Sequence, residues 1–135
     1  MPDAMLRKSE RLCQQQLIAS LFTAGHRFLS RPFQLVVLTT PLNSPEPAQL
    51  LISVSRKRFP RAVDRNRIKR HLREAYRHHK GELYTYLQQH NMQVAFAVVY
   101  TGKSVTTFNE MNDRIPVALS LIVKQLETLR SKSEG

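Results

Sequence analysis

The chain has 135 residues, 41% of them hydrophobic and 23% charged, and its 21 Lys and Arg against 10 Asp and Glu give a net charge of +11. That composition belongs to one folded globular domain rather than a disordered tail, and we take residues 1–135 as a single domain with flexible ends at 1–8 and 131–135. The single cysteine, Cys13, excludes an internal disulfide and any multi-cysteine zinc site, and no stretch approaches the roughly 18 apolar residues that a membrane span needs. With no secretory pattern at the N-terminus, where Cys13 to Gln16 interrupt any apolar run, the expectation is a cytoplasmic protein with a polyanionic partner.

From about Ser9 to Ala24 the pattern predicts a helix, with Leu17, Ile18, Leu21 and Phe22 on one stripe and Gly25 as its stop. The stripe reads first as core packing, with the apolar rim of a cleft as the alternative. A short extension at Arg27–Ser30 and the run Phe33–Thr39 read as strands, and so does Leu50–Ser55. Between them Pro41–Ala48 holds three prolines and must be a loop. Phe59-Pro60 breaks the chain before a helix expected from Ala62 to about His79, with Gly81 just past its end and a second short helix over Glu82–His90. Gln93–Tyr100 is apolar on both faces, which predicts an interior strand covered on both sides. Thr107 and Glu110 have capping-box spacing, and an apolar rhythm from Phe108 to Leu129 predicts a last helix with a kink or restart at Pro116.

The charge is concentrated in Arg56–Lys80, which has eleven basic and two acidic residues and a net +9 of the chain's +11. On a helical projection Ile68, Leu72, Ala75 and His79 share one face. Asn66, Lys69, Arg70, Arg73, Arg77 and Lys80 share an arc of about 100° on the other. A merely solvated face interleaves acids at i+4, whereas this arc has only Glu74 near it, so its mutual repulsion calls for an external counter-charge. A nucleic-acid backbone supplies one, and arginines fork onto its phosphate oxygens.

Other chemistry is poorly supported. Thr101-Gly102-Lys103-Ser104 lacks the upstream glycine of a phosphate-binding loop, since position 97 is alanine, and reads as an ordinary turn. His78 and His79 point about 100° apart on a helix, and no His-x-x-x-His pair accompanies His71 and Glu82. No catalytic residue is assigned. A DNA-binding helix is disfavoured because no helix-turn-helix spacing precedes the basic helix.

Val54-Ser55-Arg56-Lys57, followed by Ala62-Val63-Asp64-Arg65-Asn66-Arg67-Ile68-Lys69-Arg70 and Arg73-Glu74, resembles the protein component of bacterial ribonuclease P. Weaker agreement extends through Phe22-x-x-Gly25, Arg31-x-Phe33, the Gln93–Tyr100 strand and the last helix. The resemblance implies a two-layer α/β (α+β) domain in the order αβββαβα. About four strands form its mixed sheet, with a left-handed crossover. It implies a protein subunit of a ribonucleoprotein endonuclease whose catalysis resides in the RNA. That RNA, with Mg2+ bound mainly to itself, removes the 5′ leader of precursor tRNA. Its partners would be the catalytic RNA and precursor tRNA, with no membrane and no protein partner implied. Arg56, Lys57, Arg58, Arg61, Arg65, Asn66, Arg67, Lys69, Arg70, Arg73 and Arg77 would bind RNA, while Ile18, Phe22 and Val36 would line the leader cleft. Aromatic residues are usual in the family at the positions of Ile18 and Val36, so Phe22 is the one left for stacking on bases. The alternative that charge alone permits is a structural RNA-binding protein of the ribosome or translation machinery.

Overall fold

The structure, a computed structural model, describes residues 8–134. Its elements are α1 (Gln15–Ala24), β1 (His26–Ser30), β2 (Phe33–Thr39), β3 (Ala48–Val54), α2 (Ala62–Gln89), β4 (Val94–Tyr100) and α3 (Phe108–Glu134), in the expected αβββαβα order. A 3-10 turn, Lys8–Glu10, precedes α1. The first seven residues of the expected flexible arm and Gly135 of the expected tail lie outside the described residues. α3 continues to Glu134.

The sheet order is β1-β2-β4-β3. β2 is antiparallel to β1 and β4, while β3 is parallel to β4 and reaches it through α2, since parallel neighbours need a crossover. β4 is therefore interior, and its two-sided apolar pattern is used on both sides. Val94, Phe96, Val98 and Tyr100 enter the large core under α2 and α3, and Ala95 and Ala97 face α1. Those small alanines let α1 lie close to the sheet. At its end, a Cβ on Gly25 would sit 2.4 Å from the Leu21 carbonyl oxygen and 2.8 Å from Val36 Cγ1. α1 covers only part of this face. The row Leu29, Gln34, Val99 and Ser53, which crosses all four strands in register, stays partly open.

Three element boundaries differ from expectation for physical reasons. α1 begins at Gln15, not Ser9, because Leu12 is drawn under the sheet edge, where its N–H donates to the Leu50 carbonyl at 2.9 Å. α2 is one helix of 28 residues through Gly81, where a break and a second helix were expected. Leu83 and Leu87, both fully buried, prolong the Ile68, Leu72, Ala75, Tyr76 stripe past the glycine. Their burial, worth about 1.5–3 kcal/mol each, exceeds the roughly 1 kcal/mol penalty of a helical glycine. The helix ends instead at Asn91, which takes the left-handed conformation (φ 54°). There the Met92 N–H reaches back to Leu87 O and the Asn91 N–H to Gln88 O, a Schellman closure. α3 likewise runs through Pro116 without a restart, held by buried Met111, Ile115, Ala118, Leu119, Ile122 and Leu126. The expected cap is present, with the Thr107 hydroxyl accepting the Glu110 N–H at 3.2 Å.

Candidate nucleic-acid interface

The approach to α2 is built before its charges are displayed. The Ser55 hydroxyl accepts the N–H groups of Lys57 and Arg58 at 3.2 and 3.3 Å, and the Phe59 N–H closes onto Ser55 O at 3.0 Å. Phe59 is buried against Tyr100, with ring centroids 5.8 Å apart, so the loop is anchored by an aromatic. Arg56, Lys57, Arg58 and Arg61 are left exposed around it. Arg58 donates to the Thr101 carbonyl, which ties this loop to the end of β4.

On α2 the projected division is observed. Ile68, Leu72 and Ala75 are fully buried, and Asn66, Arg67, Arg70 and Arg73 are exposed, with Lys69 and Arg77 half-exposed. Among the described residues no carboxylate forms a salt bridge to Arg67, Lys69, Arg70, Arg73 or Arg77. Two side chains behave otherwise. The Arg65 guanidinium donates to the carbonyls of Phe59 and Pro60 at 2.8 and 2.9 Å, so it braces the helix start while still half-exposed. Lys80, placed on the arc by projection, is paired with Glu10 at 2.5 Å and is removed from the set of uncompensated cations. No local sequence signal marks that pair, because its members are 70 residues apart.

The histidines do not converge. His71 Nδ1 donates to the Thr106 carbonyl at 3.1 Å, His79 Nε2 bonds Asn112 Oδ1 at 2.8 Å, and His78 lies edge-on to Phe108. Among the described residues no three His, Cys, Asp or Glu gather where they could hold a metal ion. The Thr101–Ser104 segment is a packed turn: Thr101 donates to Pro32 O, and the Tyr100 hydroxyl donates to Ser104 O at 2.7 Å.

Beside α1, Ile18 and Phe22 are half-buried among Leu17, Leu38, Leu42 and Leu51, and so form an accessible apolar rim. Val36 is fully buried beneath α1 and is not part of that accessible rim. Sequence reasoning did not include Arg27, whose guanidinium stands 5.7 Å over the Phe22 ring and donates to Phe22 O at 2.7 Å. Its place follows from sheet register, since Arg27 pairs with Val36.

A profile of the family described as Ribonuclease P matches residues 6–115. The chain is 38% identical to the ribonuclease P protein component of Chlorobium phaeobacteroides over 82% of both chains. It is 32% identical to that of Porphyromonas gingivalis, over 98% of this chain and 97% of the other. Its fold is similar to that of the Staphylococcus aureus RNase P protein, with a TM-score of 0.65 at 23% identity over 85% of this chain and 96% of that one. The RNase P protein from Thermotoga maritima gives 0.64 at 23% identity over 82% and 94%. With a profile spanning most of its length and two relatives above 30% identity over 82% and 97% of their lengths, the chain belongs to the ribonuclease P protein component family.

Proposed function

We propose that this chain is the protein subunit of ribonuclease P. It binds the catalytic RNA through α2 and its preceding loop, and holds the 5′ leader of precursor tRNA in the cleft beside α1. The observation that carries the reading is the group Lys69, Arg70, Arg73 and Arg77 on the outward side of α2, with Arg67 on its flank, none of them ion-paired among the described residues. Exposed Arg61 stands at the start of α2, where the helix dipole adds positive potential and the first turn holds only one acid, Asp64. Phosphates relieve both sources of repulsion, and each released counterion favours the complex.

The hydrolytic step belongs to the RNA, and the Mg2+ it uses, which activates water for phosphodiester attack, is bound mainly by that RNA. The protein's residues neutralise backbone charge, which lets RNA segments and their cations approach, and they position the leader. At the cleft, Phe22 offers one aromatic face for a base, with Arg27 fixing its outer side. Ile18 contributes apolar contact only, so leader affinity rests more on charge than on stacking. We place this activity in the cytoplasm; among the described residues no helix is long and apolar enough to cross a membrane.

Binding to the catalytic RNA measured across a salt series tests the reading. Six neutralised phosphates give a log–log slope of about −4 to −5. The double variant Arg67→Ala/Arg70→Ala flattens that slope by about 1.4–1.8 if each side chain covers one phosphate. An unaltered slope would remove α2 from the interface.

A further inference from the structure

β1 forms one edge of the sheet, and its residues Arg27 and Leu29 lie on the face that α1 covers only in part. Side chains alternate along a strand, so these two stand side by side, about 6.7 Å apart. Their partners across the ladder are Val36 and Gln34. Of the four, only Val36 is sealed beneath α1. Arg27 is exposed, Leu29 is 60% exposed, and Gln34 is half-exposed between Leu29 and Val99. The Lys8–Leu12 segment lies at the opposite edge, where Arg11 and Leu12 meet Leu50 of β3.

The three open side chains offer three different contacts. The Arg27 guanidinium stands over the Phe22 ring and donates one N–H to Phe22 O. It forms no salt bridge with a described carboxylate. A guanidinium has five N–H donors in a planar fork, so most of them stay available for a phosphate. The Gln34 side-chain amide makes no hydrogen bond to another described residue. Its donor and acceptor therefore stand open in a floor whose neighbours, Leu29 and Val99, are apolar. An apolar surface with one amide at its centre suits a flat heterocycle whose edge bonds that amide. Paired RNA hides both the faces and the edges of its bases, whereas an unstacked nucleotide presents them together with its phosphate.

We propose that Arg27, Leu29 and Gln34 form a nucleotide subsite for single-stranded RNA at the β1 edge, beyond the Phe22 rim. The Arg27 guanidinium takes a backbone phosphate, Leu29 supports the adjoining base, and the Gln34 amide bonds the edge of that base. The inference rests on the leader-binding reading above and extends the leader's path from α1 out to β1.

The test uses the full chain assembled with the catalytic RNA of ribonuclease P. Affinity for a precursor tRNA and for the same tRNA without its leader is measured across a potassium chloride series, and the ratio of the two isolates the leader. Arg27→Gln can still donate to Phe22 O but carries no charge, so it should flatten the salt slope of that ratio by about 0.7, the share of one single-strand phosphate. Leu29→Ser/Gln34→Ala should lower the ratio about 3- to 10-fold and leave its slope unchanged, since neither side chain is charged. Leaderless tRNA should bind these variants as it binds the parent. Phe22→Leu, which keeps apolar bulk without a ring, is the control for the cleft itself. If Phe22→Leu lowers the ratio while the other two variants match the parent, the inference fails and the leader-binding reading stands. If all three match the parent, that reading fails as well. A lower ratio with the parent slope in Arg27→Gln means that Arg27 only orients Phe22, which rejects the phosphate contact. A flattened slope there beside a parent ratio in Leu29→Ser/Gln34→Ala rejects the base contact. Every side chain replaced is exposed or half-exposed, and thermal unfolding of each variant checks that the fold is kept.

Discussion

Tyr76 is placed by packing and not by a polar partner. Its ring is buried 5.7 Å from that of Phe96, and its hydroxyl, although near that of Tyr84, makes no hydrogen bond of normal geometry among the described residues. Burial pushes its pKa far above the ordinary tyrosine value, and burial is also the leading cause of the upward shift of Tyr84. A raised folded-state pKa means stability that is intact below the ordinary value of about 10 and lost as pH climbs past it, because the unfolded chain ionises first. Tyr76→Phe removes a buried unsatisfied hydroxyl, so stability at pH 7 should hold or rise by up to about 1 kcal/mol. The decline above pH 10 should be shallower, as denaturant melts at pH 7 and 10.5 will show; a marked loss at pH 7 would mean the hydroxyl has a partner. At this scale the sequence was informative where one helix decides the outcome, as for Ile68 and Leu72 inward and Arg67 and Arg70 outward. It was silent where two distant segments meet, as for Glu10 with Lys80 or for Val36 beneath α1.

The elements teach a related lesson about punctuation. Gly81 reads as a helix stop and Pro116 as a kink or restart, and both lie inside helices because an apolar stripe continues beyond them. Local propensity costs about 1 kcal/mol at a glycine, and a buried leucine on the far side outweighs it. A Cβ on Gly81 would meet nothing within 4 Å, so Gly81→Ala should stabilise the protein by about 0.5–1 kcal/mol without altering RNA binding. Gly25→Ala should do the opposite. Its Cβ would collide with the Leu21 carbonyl and with Val36, forcing α1 off the sheet. The expected loss is about 1–3 kcal/mol by thermal unfolding, with weaker leader binding because the cleft lies beside that helix. A Gly25→Ala variant as stable as the parent would show that α1 packs less closely than described.

Across the whole molecule the αβββαβα order came from the resemblance, since the residue patterns alone divided α2 in two, whereas β4 was readable as interior from apolar residues on both faces. The pairing that places β4 between β2 and β3 has no such local mark, and neither does the partial cover that α1 gives its face of the sheet. The fold separates two tasks. One face of the sheet carries the helix that displays Arg67 to Arg77, and the other carries α1 and the Phe22 rim. On the proposed reading, the first face meets the catalytic RNA and the second meets the leader. The most direct measurement is cleavage of a precursor tRNA by the catalytic RNA at low magnesium, with and without this protein. Leader removal should appear only when both are present, and a leaderless tRNA should compete poorly. Cleavage by the protein alone, or an RNA rate unchanged by adding it, would contradict the account.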